Sequence, residues 1–284
     1  RGEARRDSRV KICIVSDSHD RADALERAIR EAAAQGAEAV IHCAALADME
    51  ACEKDPIGSK KLNGELPGKL AGACREQGVQ MLHISTDGVF DGTKDGFYDE
   101  SDAPNPGGVY ARTKLEGEQA VLGQYPQACV ARVNFFGWSL NGKTSLAEFF
   151  VNNLRARNTV NGFMDVHFCP LFVGDLAEIL VKMFEKRLNG LYHVVGSETT
   201  SKYEFGKAIA RKFGLDENLI QPISVDESGM KARRSHNLRL SVHKLSTALG
   251  VEIPGFSTGL ERFYTQAQQG FPQKIASYQQ VISI

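Results

Sequence analysis

Short apolar segments alternate with amphipathic segments along most of this 284-residue chain, and this alternation limits the possible folds more than any other feature. The runs VKICIV (10–15), EAVIHCAA (38–45) and VQMLHIST (79–86) predict buried strands. Residues 22–36 carry apolar side chains at helical spacing and end at a glycine. Strands that alternate with helices form a parallel sheet covered on both faces. The sequence therefore predicts an α/β fold with a Rossmann-like parallel sheet.

The order of the predicted elements indicates one large α/β unit with a smaller lobe. We expect a disordered arm at 1–9 and a Rossmann-like cofactor domain at 10–140, whose N-terminal unit at 10–43 is atypical. The remaining sheet strands and a smaller C-terminal substrate lobe are expected at 141–272, followed by a tail at 273–284. A chain of this length can bury a sizeable core.

Composition and charge exclude several classes of function. The formal net charge is −1, which gives no electrostatic footprint for nucleic acid or an anionic membrane. The six cysteines are scattered and include no C-x-x-C pair, which favours a reducing compartment over a disulfide framework or a zinc site. No apolar stretch approaches the ~18 residues that a membrane span needs. We therefore expect a soluble cytoplasmic protein with no nucleic-acid or membrane partner.

The strongest chemical signal is the strand end ISTDGVFDG (84–92), followed by YARTK (110–114). Tyr110 and Lys114 are four residues apart in a helical segment, so their side chains share one face. A neighbouring ammonium favours the phenolate and is expected to lower the pKa of Tyr110, which makes the phenol a usable proton donor to a carbonyl. Thr86 can hydrogen-bond the same oxygen from the carboxyl end of its strand. The Tyr-x-x-x-Lys spacing alone also occurs on solvated helices, but the upstream Ser-Thr-Asp favours an active site.

Six segments along residues 38–272 follow one another in a characteristic order. They are VIHCAALADMEACEKDP, ISTDGVFDG, YARTKLEGEQAV, PLFVGDLAEIL, GLYHVVGSETTSKYEFGKAIA and RRSHNLRLSVHKL. Together they resemble the extended short-chain dehydrogenase/reductases, with the closest likeness to the dTDP-4-dehydrorhamnose reductase group. The resemblance implies NAD(P)H-dependent reduction of the 4-keto group of a nucleotide-linked deoxysugar. It also allows a homodimer.

The resemblance assigns roles to individual residues. The implied catalytic residues are Thr86, Tyr110 and Lys114. Besides Tyr110 and Lys114, the implied cofactor-binding residues are Ala44, Ala45, Asn63 and Ser85. The implied substrate-binding residues are Asp87, Asn134, Phe135, Trp138, Arg233 and Arg234. The family often has tyrosine after Ser-Thr-Asp, where this chain has Gly88, so one substrate contact of the family differs here.

The N-terminal segment departs from this resemblance. The family's first strand-to-helix turn carries T-G-x-x-G-x-x-G, because glycines let the backbone approach the pyrophosphate of the cofactor. This chain has SDSHD (16–20) there, and Asp17 and Asp20 would repel a pyrophosphate. Residues 10–43 resemble instead the start of a metallophosphoesterase, so a chimeric chain is expected. Two candidate ligands, Asp17 and His19, cannot make a dinuclear centre, and no metal site is predicted.

The sequence alone is compatible with three functions. The first is the reductase, with NADP or NAD as cofactor and with weak cofactor binding because the glycines are missing. The second is a catalytically silent sugar-nucleotide-binding or regulatory homologue. The third and weakest is a metal-dependent phosphoesterase.

Some remaining residues are interpreted as structural. His42, His83 and His193 lie in apolar strand runs and are expected to be core or strand-end histidines. A helix is predicted over roughly 58–77, with a kink at Pro67.

Overall fold

A computed structural model describes residues 11–16, 22–229 and 234–282. In these ranges the strands are β1 (Ile12–Val15), β2 (Ala39–His42), β3 (Gln80–Thr86), β4 (Cys129–Val133), β5 (Phe135–Phe136), β6 (Val160–Phe163), β7 (His167–Phe168), β8 (Leu171–Phe172), β9 (Gly190–Val194), β10 (Thr200–Ser201), β11 (Ile220–Ile223) and β12 (Asn237–Leu238). The helices are α1 (Ala22–Ala34), α2 (Met49–Lys54), α3 (Pro56–Ser59), α4 (Leu66–Glu76), α5 (Val109–Gln124), α6 (Leu146–Arg155), α7 (Val173–Glu185), α8 (Lys202–Phe213), α9 (His243–Leu249), α10 (Phe256–Gln268) and α11 (Phe271–Ile282).

The main sheet has five strands in the order β1-β2-β3-β4-β9, and every neighbouring pair is parallel. Successive side chains of a strand point to opposite faces of the sheet. These strands are apolar at successive positions, so both faces of the sheet are apolar. Val40 and Met81 pack with α1, α4 and α5, whereas the adjacent residues Ile41 and Leu82 pack with α7 and α9. This arrangement confirms the predicted Rossmann-like sheet with helices on both faces.

The C-terminal half adds three small sheets, with strand orders β10-β7-β12, β11-β6 and β5-β8. Their core is largely aromatic. Phe136, Phe150, Phe205 and Phe263 are all buried in one cluster with side chains of α6, α8 and α10. This cluster holds α8 and the strands around it close to the carboxyl edge of the main sheet, where the candidate site lies.

The helix predicted over 58–77 consists of α3, a π-helical turn (Lys60–Glu65) and α4. Pro67 lies in the first turn of α4, where its missing N–H costs no helical hydrogen bond. The interruption therefore lies just before the proline, as a π turn. A Cβ on Gly117 of α5 would collide with the carbonyl oxygen of Asn63, so the π turn and α5 are in unusually close contact.

The C-terminal end differs from expectation, because α11 occupies most of the range predicted as a tail. The segment after Pro272 has no further proline or glycine, so it retains a helix-compatible composition. Among the helices of the described ranges, none combines the length and apolar character that crossing a bilayer requires.

Candidate active site

The predicted catalytic residues meet at the carboxyl edge of the main sheet. Thr86 ends β3, and a 3-10 turn (Asp87–Val89) follows it directly. Tyr110 and Lys114 lie one turn apart near the start of α5, which packs against β3. The Thr86 hydroxyl accepts a hydrogen bond from the Gly88 N–H at 3.1 Å and is hydrogen-bonded to the Tyr110 phenol. Two hydroxyls that can hold one carbonyl oxygen are therefore adjacent.

The pKa of Tyr110 differs from the prediction. Burial raises it to about 12, and the charge of Asp87 raises it as well, whereas the hydrogen bond with Thr86 lowers it. The expected lowering by Lys114 is wrong for this structure, because the ammonium donates to the carbonyl oxygen of Ile84 at 2.6 Å and burial dominates. A phenol with this pKa is protonated near neutral pH, which is the state that a proton donor needs.

Lys114 is almost completely buried, with 2% of its surface exposed. Burial lowers its pKa to about 8, while the Glu118 carboxylate one turn further along α5 raises it. The hydrogen bond to Ile84 uses one of the three N–H donors of the ammonium. The charge of Lys114 acts on Cys43, the residue directly after β2, and Ala44 and Ala45 follow with small side chains. This edge can accept the ribose and nicotinamide of a dinucleotide.

Asp87 is a buried carboxylate, 4% exposed, at the first position after β3. Burial raises its pKa to about 6, and hydrogen bonds from Asn134 and Thr86 act in the opposite direction. Asn134 Nδ2 donates to Asp87 Oδ2 at 2.5 Å. Asp87 and Asn134, two of the predicted substrate residues, are therefore in direct contact.

A cavity of about 150 Å³ lies at this edge. Five of the predicted site residues line it: Thr86, Asp87, Tyr110, Asn134 and Arg234. Lys202, Ser235, Met49 and Asp91 also line it and were missed by the sequence analysis. The sequence does mark Lys202 as unusual. A helix is predicted from residue 201 onward, and the helix dipole disfavours a lysine at its amino end.

The side chains of two further predicted cofactor residues, Asn63 and Ser85, hold neighbouring segments together. Asn63 is fully buried in the π turn, where its side chain accepts from the Leu46 N–H at 2.9 Å and donates to the Leu46 carbonyl at 3.0 Å. Asn63 therefore fixes the loop that carries Ala44 and Ala45. The Ser85 hydroxyl donates to Glu118 Oε1 at 2.5 Å, so its side chain joins β3 to α5.

The hydrogen bond from Ser85 to Glu118 leads to a buried ion pair between Glu118 and Arg132, which the sequence analysis did not predict. Arg132 of β4 donates to the Glu118 carboxylate through Nε at 3.0 Å and through Nη2 at 2.7 Å. Both side chains are almost completely buried. The Arg132 guanidinium also lies 5.0 Å from the ring centroid of Phe90. This network joins β3, β4 and α5, two of which carry the predicted catalytic residues.

Phe135 and Trp138, two further predicted substrate residues, are not among the described residues that line the cavity. Phe135 is 49% exposed on β5. Trp138 is stacked on Phe263 with ring centroids 4.1 Å apart, and its Nε1 donates to the Phe263 carbonyl at 3.1 Å, which gives it a packing role in the lobe. Arg233 lies outside the described residues.

The loop between β3 and α5 is held by side-chain hydrogen bonds. Asp91 accepts from the Thr93 N–H at 2.9 Å, from the Tyr98 hydroxyl at 3.1 Å and from Asn105 at 2.8 Å. Gly92 has φ +79°, and a Cβ there would meet the backbone nitrogen of Asn237 at 2.8 Å. The loop therefore packs tightly against the segment that carries Arg234 and Ser235.

The three strand histidines are buried, as predicted. His42 and His83 are register partners on β2 and β3, with their Nδ1 atoms 2.8 Å apart. Burial lowers the pKa of His42 to about 3 and that of His83 well below its usual range. His193 on β9 likewise has its pKa lowered to about 3, by burial and by the charge of Arg132. All three imidazoles are neutral core groups near neutral pH.

The fold and the adjacent Thr, Tyr and Lys side chains define an extended short-chain dehydrogenase/reductase. The chain matches the family described as the RmlD substrate binding domain over residues 7–269, and it belongs to this family. It is 33% identical over 257 residues to a dTDP-4-dehydrorhamnose reductase of Mycobacterium tuberculosis, covering 87% of this chain and 81% of the relative. It is 34% identical over 232 residues to methionine adenosyltransferase 2 subunit beta of Bos taurus, covering 78% and 68%.

A solved structure supports the same assignment. The dTDP-4-dehydrorhamnose reductase of Bacillus anthracis in complex with NADP superposes with a TM-score of 0.80 at 26% identity, covering 86% of this chain and 85% of that one. NAD(P) is therefore the cofactor class of this fold and site.

The likeness of residues 10–43 to metallophosphoesterases is not supported. The family match begins at residue 7, so it includes this segment, and β1 pairs in parallel with β2 as part of the main sheet. Asp17, His19 and Asp20 lie outside the described residues.

One group of possible metal ligands occurs in the described ranges, formed by Asp165, Asp226 and His236. The two carboxylates approach opposite ring nitrogens of His236, at 3.6 and 3.3 Å. Asp165 already accepts from the Ser224 hydroxyl and the Val225 N–H. These contacts describe a polar cluster that connects loops of the lobe.

Proposed function

We propose that this protein reduces the 4-keto group of a nucleotide-linked deoxysugar with NAD(P)H, as the named function of its dTDP-4-dehydrorhamnose reductase relatives suggests. The observation that carries the proposal is the pairing of the Thr86 and Tyr110 hydroxyls at one cavity, with Lys114 buried one turn away. When bound, the reduced nicotinamide supplies the hydride for the carbonyl carbon.

The residues of the chain bind and protonate the substrate in this proposal. The Thr86 and Tyr110 hydroxyls hold the carbonyl oxygen, and Tyr110 gives its proton to that oxygen as the alkoxide forms. Lys114 holds the ribose of the cofactor and offers a positive charge near the phenolate that Tyr110 leaves behind. Asp87 and Asn134 hold the sugar at the end of β3, and Arg234 suits the diphosphate.

The direct test is Tyr110→Phe, assayed as oxidation of NADPH by dTDP-4-dehydrorhamnose. The variant lacks the phenolic hydroxyl and therefore the proton donor, so kcat should fall about 10²- to 10⁴-fold, the usual size of a general-acid contribution. Tyr278→Phe is the matched control, because Tyr278 is 51% exposed on α11. Near-normal turnover in Tyr110→Phe would remove Tyr110 from the catalytic role.

A catalytically silent regulatory homologue is the second candidate. Two observations favour it: the similarity to methionine adenosyltransferase 2 subunit beta, and the absence of glycine from residues 16–20. This candidate predicts that the wild-type protein binds a nucleotide-sugar but oxidises no NADPH in its presence. Calorimetric titration of dTDP-rhamnose, run beside the turnover assay, separates the two functions.

A further inference from the structure

Lys202 is a cavity residue whose position helix formation does not explain. It is the first residue of α8 and lines the cavity together with Asp87 and Tyr110. The positive end of the helix dipole disfavours a lysine at this position. Ser201 caps the helix by accepting a hydrogen bond from the Glu204 N–H, so the helix needs nothing from the lysine side chain.

The backbone around Lys202 is firmly held. Its N–H donates to the Val166 carbonyl at 3.1 Å, and the two preceding residues form β10, which pairs with β7. The lysine is therefore presented from an ordered element of the lobe. A side chain on such an element can define a binding position more accurately than one on a loop.

Lys202 is half-buried, and the N–H donors of its ammonium are available for a ligand. The ammonium lies 5.9 Å from the ring centroid of Phe163. Across the described ranges it has no carboxylate partner within 4.0 Å and donates no side-chain hydrogen bond. Burial lowers its pKa, as does the charge of Arg234, whereas the Asp87 carboxylate raises it.

Asp87 lines the same cavity as Lys202. The charge of Lys202 lowers the pKa of Asp87, so the two groups attract each other electrostatically across the cavity without forming a close ion pair. An ammonium only donates hydrogen bonds and a carboxylate only accepts them. A hydroxylated ring between the two groups satisfies both, because each hydroxyl can donate and accept.

We propose that Lys202 is a specificity-determining residue, which donates a hydrogen bond to a hydroxyl of the substrate's sugar ring opposite the Asp87 carboxylate. This inference rests on the proposed function, because that function brings the sugar carbonyl to Tyr110 in the same cavity. The neighbouring Arg234 is then left to the diphosphate, so the two cations bind different parts of one ligand.

The test compares two ligands that differ only in the sugar, dTDP-rhamnose and dTDP, by calorimetric titration of the full-length protein. Lys202→Met should weaken the binding of dTDP-rhamnose about 10- to 100-fold, which corresponds to one charge-assisted hydrogen bond. It should leave the affinity for dTDP unchanged. Lys202→Arg should recover most of the loss, because it restores a cationic donor.

The matched control is Lys207→Met. Lys207 is also half-buried on α8 and also lies near an aromatic ring, 5.3 Å from the Tyr203 centroid, but it is 4.0 Å from Glu217 and does not line the cavity. Lys207→Met should leave the affinities for dTDP-rhamnose and for dTDP unchanged. Thermal unfolding midpoints of all variants show that each one is folded.

The outcomes separate this inference from the function on which it rests. If the wild-type protein binds dTDP-rhamnose no better than dTDP, the proposed function and the role of Lys202 both fail. If the wild-type protein distinguishes the two ligands and Lys202→Met does so equally well, only the role of Lys202 is overturned. An equal loss for both ligands would place Lys202 at the diphosphate and would also overturn the inference.

Discussion

Asp87 combines deep burial with a position at the reacting edge of the sheet. It is ordinarily ionised at neutral pH, but burial raises its pKa to about 6. A carboxyl group with a raised folded-state pKa contributes stability that is present at low pH and is lost as the pH rises through that value. Asp87 therefore lowers the stability of the fold near neutral pH, which is a common property of functional groups.

Asp87→Asn should stabilise the protein at alkaline pH and not at acid pH. The amide can still accept from Asn134 and can donate to the Thr86 hydroxyl, so hydrogen bonding is retained while the buried charge is removed. The gain in free energy of unfolding should be up to ~3 kcal/mol at about pH 8 and should vanish near pH 4. Urea unfolding across this range measures it, and a gain that is independent of pH would contradict the explanation.

The pKa of Asp91 is shifted in the opposite direction to that of Asp87. Hydrogen bonds from Thr93, Asn105 and Tyr98 lower the pKa of Asp91 to about 2. Its stabilising contribution is therefore present above the usual carboxyl pKa and is lost as the pH falls through the lowered value. Asp91→Asn should destabilise the protein, and more so at neutral pH than in strong acid.

At the scale of elements, α5 connects the proposed catalytic residues to the sheet through Glu118. Tyr110, Lys114 and Glu118 occupy successive turns of the same helix face. The Glu118 carboxylate raises the pKa of Lys114 and also forms the buried ion pair with Arg132. One side chain thus influences the charge of Lys114, a proposed catalytic residue, and joins three elements.

Glu118→Gln should lower the pKa of Lys114 below about 8, because the charge that raises it is gone. The ammonium would then be deprotonated at a lower pH, so the alkaline limb of the kcat/KM profile should move to lower pH. The variant should also lose roughly 3–5 kcal/mol of stability, because Arg132 is left buried without its partner. Glu116→Gln, at an exposed position of α5, is the control and should change neither property.

The same elements indicate how much of the site the sequence reveals. Periodicity predicts β3 and α5, and with them the adjacency of Thr86, Tyr110 and Lys114, since these contacts follow from local spacing and parallel topology. The Glu118–Arg132 pair joins residues 14 apart on different elements, and no local pattern encodes it. The sign of the Tyr110 pKa shift was wrong because burial, which dominates it, depends on packing by the whole fold. The helix-dipole argument marks Lys202 as unusual in the sequence, but its place beside Asp87 and Tyr110 depends on the packing of the lobe against the sheet.

At the scale of the whole molecule, an edge that carries all three proposed catalytic residues is combined with an unusual first turn. β1 lies directly beside β2, and α1 follows with its amino end toward the position expected for a pyrophosphate. The sequence of this turn, SDSHD at 16–20, offers two carboxylates and no glycine. Its residues 17–20 lie outside the described residues.

We predict that NAD(P)H binds weakly, with a dissociation constant in the high-micromolar to millimolar range or above. Several charge-assisted hydrogen bonds to the pyrophosphate, at about 1.5–3 kcal/mol each, are missing without the glycine turn, and ~1.4 kcal/mol corresponds to tenfold in affinity. Titration followed by NADPH fluorescence measures the constant. Asp17→Asn with Asp20→Asn should tighten binding, because it removes the repulsion while leaving the amide N–H groups in place. A low-micromolar constant in the wild-type protein would show that this turn holds phosphate despite its carboxylates, and the regulatory alternative would then lose its main support.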